Sequence, residues 1–237
     1  MVRRPLSSRT RRFLRARTEK VTASGDPQAE ARRLWRLKKN RAFDEIRQRL
    51  RAMATGLDRC MYCEDNEGTD IDHFWPQARY PERSFRWNNY LWACSHCNSN
   101  QKRDQFPLDA SGNPLLVDPT VDEPLDHLAF SPATGEYLPL TSKGQPTIAV
   151  FGLSRANLVR GRSIAWTALQ ALLLLYAQRK AADDPKAARI EHDVRAHPFA
   201  GVFVALLRIA ASPAAAILIE PRCLEVLAAH PEILTWV

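Results

Sequence analysis

The sequence predicts a mainly helical α+β protein. Helical periodicity runs through residues 27–54 and returns from Ser154 onward. Two CxxC pairs, Cys60/Cys63 and Cys94/Cys97, bracket a stretch of short elements, and Pro/Gly-punctuated text over 107–147 reads as a few short strands or irregular connections. The 237 residues, 45% hydrophobic and 25% charged, are enough to bury a sizeable core in one compact domain with appendages or in two small ones. That composition excludes wholesale disorder and collagen-like or disulfide-dense scaffolds. The expected organisation is a basic, flexible arm over 1–26, a long amphipathic basic helix over 27–55, a cysteine-bearing core over 56–110, a connection over 111–153 and a helical lobe over 154–237.

The charge is uneven. Residues 1–53 hold 17 Lys/Arg against 5 Asp/Glu, residues 54–109 hold 6 against 9, and residues 110–237 hold 11 against 12. A positive field at the N-terminal end suits a polyanion such as nucleic acid or an anionic membrane; the bland alternative is a solvated tail. The stretch "MVRRPLSSRTRRFLRARTEK" is Arg- and Ser-rich and poor in acids, as transit peptides are, and it lacks the apolar run of a secretory signal. From Pro27, with Ser24 and Asp26 as caps, few breakers follow. Trp35, Phe43, Ile46, Leu50 and Met53 share one side of the helical projection, and Arg32, Arg33, Arg36, Lys38 and Lys39 crowd its first half.

Next come the cysteines. Each CxxC turn sets two sulfurs on one side, and two such turns supply the four thiolates of a closed, tetrahedral structural zinc site. Paired disulfides or free thiols are the alternatives, and the absence of a secretory signal argues against an oxidising compartment. Cys223, alone in an expected helix, reads as a small buried hydrophobe. His96, between two of the cysteines, is a competing metal donor, but four sulfurs already satisfy zinc.

Beyond the connection, helices are expected from Ser154 through "IAWTALQALLLLYAQRKAA", over roughly 186–211, and over about 221–229. "AGVFVALLRIAASPAAAILI" has the length of a bilayer span, but Arg208 and Pro213 interrupt it, and "IAWTALQALLLLYA" is too short. Both are expected to be buried helices of a cytoplasmic bacterial protein with no membrane partner.

The interval between the cysteine pairs is not the blank spacer that a purely structural zinc ribbon would need. It holds Asp72-His73 and "RWNNYLWAC", and Asn98 and Lys102 follow the second pair. Together "CMYC…DIDHFWP…NNYLWACSHCN…K" resembles the HNH endonuclease family, whose ββα-metal core is often stapled by two CxxC knuckles. "FPLD", "PLLVDP" and "TIAVFGLSRANLVRGR" extend the likeness to HNH proteins of bacterial anti-phage systems, the Septu nuclease subunit and retron-associated HNH proteins. The chain departs from that subgroup in carrying Asp72 where Glu is common and in its basic N-terminal segment.

The resemblance implies a small ββα-metal core with a four-cysteine zinc site, flanked by the basic helix and the helical lobe. It implies phosphodiester hydrolysis with His73 as general base, and Asp72 and Asn98 as ligands of a catalytic Mg²⁺ or Mn²⁺. Asn89, with Asn88 as the neighbouring candidate, would orient the histidine loop. Asp65, Glu67 and Asp70 read as a solvated loop, Asp70 being a secondary metal candidate. Lys102, Arg103, Arg79, Arg83 and Arg86 are candidate phosphate grips, and because the core is net negative, the basic segment with Arg11, Arg12 and Arg15 is expected to supply the hold on DNA. Most of the seven aromatics between Phe74 and Trp92 are expected to be packing. A regulatory ATPase or sensor of a defence system is the implied partner. The competing readings are a non-catalytic zinc-stapled adaptor that binds nucleic acid and a nuclease directed at RNA.

Overall fold

In the computed structural model, which describes residues 1–237, helices dominate and two small two-stranded antiparallel sheets complete the fold. The chain opens with α1 (Ser8–Thr22), α2 (Pro27–Arg36) and α3 (Arg41–Arg51). Each has a side-chain cap: Ser7 accepts from the Thr10 N–H, Asp26 from Ala29, and Asn40 from Ala42 and Phe43. The single helix expected over 27–55 is therefore two. Asn40 breaks it: the residue is extended (φ −160°, ψ 165°) and turns its amide oxygen onto the free N–H groups of the next helix.

The arm expected to be flexible is also folded. Leu6, Leu14 and Val21 are buried, and Ser7 and Thr10 donate to the Glu45 carboxylate of α3. Arg3 donates to the carbonyls of Trp87, Tyr90 and Asn88, each at 2.9 Å, and lies 5.3 Å from the centre of the Trp87 ring. These contacts tie the first residues to a hairpin more than 80 positions away.

That hairpin pairs β1 (Asp70–His73) with β2 (Tyr90–Ala93), Asp70 opposite Ala93 and His73 opposite Tyr90. A short π-helical segment, His96–Lys102, follows, completing a strand–strand–helix order. Strand alternation sends His73 and Asp72 to opposite faces. The His73 face packs on α2 and α3, where Trp35, Phe43 and Tyr90 cluster with ring centres 5.2–6.4 Å apart. The Asp72 face looks toward Tyr62, whose ring stacks on Phe151 at 3.8 Å.

A second hairpin, β3 (Leu128–Phe130) and β4 (Tyr137–Pro139), leads through α4 (Gly144–Val150) to α5 (Ala156–Ala181). α5 is the spine of the lobe, packed by α6 (Ala187–Ala196), α7 (Ala200–Ala210) and α9 (Pro221–Ala229), with the one-turn α8 (Ala215–Leu218) between the last two. At 26 residues α5 is long and apolar enough by length and composition to cross a membrane, which corrects the expectation of too short a stretch; Leu158, Ala165, Leu169, Leu173 and Tyr176 form its buried side. The helix expected over 186–211 is divided between α6 and α7, because Pro198 has no N–H and Phe199 is left-handed (φ 59°).

Phe199 also fixes the spacing of the lobe. A Cβ on Gly161 of α5 would stand 2.5 Å from the Phe199 ring. Gly161→Ala is therefore expected to lower stability by about 1–3 kcal/mol through overpacking, measured by urea denaturation.

Candidate metal centre and the two faces of the first hairpin

Cys60, Cys63, Cys94 and Cys97 are all buried, and their sulfurs lie within 4.8 Å of one another. The Cys63 and Cys94 sulfurs are 4.0 Å apart. Tetrahedral zinc with Zn–S bonds of about 2.3 Å requires sulfurs about 3.8 Å apart, so the cluster fits a metal such as zinc. Four thiolates around a dication leave net negative charge, and the surroundings answer it. The Cys97 N–H points at the Cys94 sulfur (3.4 Å), as does the Asn66 amide (3.9 Å), and the Arg155 guanidinium approaches the Cys97 sulfur (3.8 Å). His96 is not a donor to this cluster; its ring meets the Gln101 amide at 3.4 Å. Cys223 is buried and apart, as a small apolar residue of α9.

His73 ends β1 with 8% of its surface exposed. Its ring lies under Trp35 (centres 4.3 Å apart) and beside Tyr90 (5.4 Å). Nε2 is 2.9 Å from the Ser84 carbonyl, which also accepts from the Tyr90 hydroxyl at 2.7 Å. A carbonyl can only accept, so Nε2 carries the hydrogen and neutral His73 keeps its lone pair on Nδ1. Burial pushes its pKa down to about 4, partly offset by the Ser84 bond and Asp72. The ring is thus neutral, fixed in one tautomer and covered by the Trp35 side chain.

Asp72 is buried on the other face and is not free. Lys102 donates to its Oδ1 at 3.1 Å and stands 2.9 Å from Oδ2, and the Tyr62 hydroxyl donates to Oδ2 at 2.5 Å. Lys102 donates as well to the His73 carbonyl at 2.5 Å. This lysine is fully buried, which corrects its expected role as a surface grip on phosphate. Asn98 lies on the π-helical segment with its side chain partly exposed, and no hydrogen bond joins it to Asp72 or His73. A divalent ion does not fit the Asp72 carboxylate in this arrangement, because an ammonium already holds both of its oxygens.

Asn89 closes the loop between the strands. Its Oδ1 accepts from the Trp75 N–H at 2.7 Å, and its Nδ2 donates to the carbonyls of Trp75 and Arg83, each at 3.1 Å. Asn88 is exposed and offers only its carbonyl, to Arg3. Asp70 and Asp65 are partly exposed and Glu67 is exposed, and none of the three belongs to the sulfur cluster.

Arg11, Arg12 and Arg15 are exposed on α1, Arg15 being 3.6 Å from Glu19. The turn Pro81–Arg83 packs against α1 and α2, which brings Arg83 to the basic helices. Arg83 lies over the Trp75 ring at 4.0 Å, and Arg79, though exposed, donates to the Phe106 carbonyl at 3.0 Å. Arg86 and Arg103 are exposed. Tyr62, Ser84 and Arg155 were not singled out by their residue types. Only Tyr62 carries a local signal, lying inside the first CxxC turn.

No protein-family model and no solved structure matches the chain. It is 28% identical over 151 residues to the Septu protein PtuB of Bacillus mycoides (strain KBAB4), covering 51% of this chain and 50% of that protein. It is 30% identical over 76 residues to the Septu protein PtuB of Bacillus thuringiensis, covering 30% and 28%. The chain thus matches half the length, or less, of these relatives.

Two outcomes follow from the metal cluster and the buried histidine. Cys94→Ser is expected to lose the metal and unfold the region around the hairpin, seen as reduced zinc stoichiometry and loss of ellipticity. His73 stays neutral to about pH 4 when folded, whereas the unfolded chain takes up the proton near 6.5. Its stabilising contribution is complete above pH 6.5 and falls away by about 3 kcal/mol as pH drops toward 4. Denaturation at a series of pH values should show this slope, and His73→Gln should flatten it.

Proposed function

We propose that the chain is an HNH-type endonuclease that hydrolyses DNA phosphodiester bonds as an effector of bacterial anti-phage defence. The similarity to Septu proteins supports the defence role, and the partial coverage leaves activity and partners to be argued from the residues. The observation that carries the nuclease reading is the treatment of His73. One ring nitrogen is tied to a backbone carbonyl, the other keeps its lone pair, and Asn89 clamps the loop that supplies that carbonyl. Such a device selects a tautomer and aims a base.

Hydrolysis needs an aligned water that loses a proton, neutralisation of the charge gathering on phosphorus, and a leaving 3′ oxygen. His73 takes the water's proton at Nδ1 once Trp35, whose ring centre lies 4.3 Å from that of the imidazole, moves aside. Exposure also restores solvation of the imidazolium, which raises the pKa toward its ordinary range and makes His73 a stronger base. The exposed arginines of α1, with Arg83, Arg86 and Arg103, hold the polyanion without reading its sequence. The four-sulfur site is structural zinc in this reading, and it holds the two ends of the hairpin region rather than taking part in chemistry. The covered histidine is compatible with control by a companion ATPase or sensor in the bacterial cytoplasm.

A second reading has its own support. Burial of His73 and the Asp72–Lys102 pair also describe a non-catalytic, zinc-stapled adaptor that binds nucleic acid. Zinc-loaded protein incubated with plasmid and Mg²⁺ or Mn²⁺, beside His73→Ala, separates the two. The nuclease reading expects the variant to lose at least about 100-fold in rate while keeping fold and zinc, and expects Trp35→Ala to cleave faster than wild type. Intact plasmid with all three proteins, with binding retained in a gel-shift assay, identifies the adaptor. Preferential cleavage of RNA would move the assignment to an RNA-directed nuclease.

A further inference from the structure

Lys102 is the one lysine of this chain that is buried, and it is buried completely. A lysine ammonium is strongly hydrated, and hiding it costs free energy unless a counter-charge and acceptors replace the water. Here the replacement is the Asp72 carboxylate, through Oδ1 at 3.1 Å and Oδ2 at 2.9 Å, and the His73 carbonyl at 2.5 Å. Hard oxygens, one of them anionic, converging on one point are the donor set of a hard cation. The buried Arg162 differs in kind. Its guanidinium is satisfied by the Gly135 and Leu153 carbonyls at 2.7 Å and holds no carboxylate.

We propose that Lys102 occupies the divalent-ion position of this site: its ammonium is the resident counter-cation of Asp72, and an ion binds that carboxylate only after Lys102 leaves. A catalytic role for such an ion would rest on the nuclease reading above; the competition for Asp72 does not. Two cations cannot share the carboxylate. A dication within about 4 Å of a fixed ammonium in a dry site is repelled more strongly than two surface charges are. Tyr62 remains on Oδ2 and would keep the carboxylate oriented through the exchange.

The chain has a route for the exchange. Lys102 is the last residue of the π-helical segment, the Arg103 N–H closes a bond to the Asn98 carbonyl at 2.8 Å, and Arg103 itself is left-handed (φ 51°). π-helical turns close their hydrogen bonds one residue further along than α-helical ones, are rare, and are frequent at functional sites. A change of winding by one residue rotates the end of the segment by about 100° and carries Lys102 off Asp72.

The test uses zinc-loaded full-length chain and Mn²⁺ as the probe, with free Mn²⁺ read by electron paramagnetic resonance and unfolding followed by heat. Lys102→Gln, which keeps a donor and removes the charge, is expected to bind Mn²⁺ at least about tenfold more tightly than wild type. Its melting temperature should rise on adding Mn²⁺ where that of wild type does not. Both gains should vanish in the Lys102→Gln/Asp72→Asn double variant. If Lys102→Gln does not fold alone, recovery of the fold by millimolar Mn²⁺ supports the proposal and failure to recover overturns it. A folded Lys102→Gln with wild-type Mn²⁺ affinity overturns it too, as does wild type binding Mn²⁺ through Asp72 as tightly as the variant. The two readings separate cleanly: His73-dependent plasmid cleavage with no affinity gain removes this proposal alone. An affinity gain with no cleavage by any variant removes the nuclease reading alone.

Discussion

Four sulfur atoms in one dry pocket are the constraint on which the rest of this molecule depends. The first hairpin has strands of four residues each, too short to be stable in water by themselves. What joins them is the cluster, because Cys60 and Cys63 precede β1 while Cys94 and Cys97 follow β2, and one metal ion held by the four sulfurs would close both ends. Around it the protein supplies N–H groups and a guanidinium rather than more carboxylates. That choice offsets the charge of the thiolates and lets a site of formal negative charge sit inside a core.

With the hairpin fixed, strand alternation decides the chemistry. Two adjacent residues face opposite ways, so each meets a different part of the chain. His73 meets the aromatic side of the N-terminal helices, and Asp72 meets Lys102 and Tyr62. The first is covered by a ring, the second by a charge. The two covers are different physical obstacles: moving Trp35 exposes apolar surface, whereas moving Lys102 separates buried opposite charges, and separating such a pair is the more costly event.

Much of this site was legible in the sequence, and the reasons are local. The CxxC pairs declare themselves by spacing, because two sulfurs on one turn need that interval. Pro221 at the start of α9 and the cap at Asp26 are likewise local signals. What was not legible depends on contacts between distant residues. Asn40 looks like an ordinary polar residue of a helix until the bend between α2 and α3 gives it free N–H groups to accept from. Arg3 has the composition of a solvated tail, and only the carbonyls of a distant turn make it an anchor. Lys102 is the same case: a lysine beside an arginine after a cysteine knuckle resembles a surface grip, and its burial follows from the winding of a segment that no residue type announces.

Glu64 gives the molecule a further property. Its backbone carbonyl accepts from Phe199 and its side chain accepts from Gly201, so the residue directly after Cys63 is stitched twice to the start of α7. The knuckle is consequently completed by the lobe, not merely adjacent to it. An excised piece ending before Arg155 would leave the Glu64 carbonyl and carboxylate without the N–H groups that meet them, and the Cys97 sulfur without its guanidinium. The hairpin region here is therefore not a portable cassette. Chains that graft it onto other partners would have to reinvent those three donors, and a divergent lineage could remodel the lobe only while preserving the few atoms that touch the knuckle.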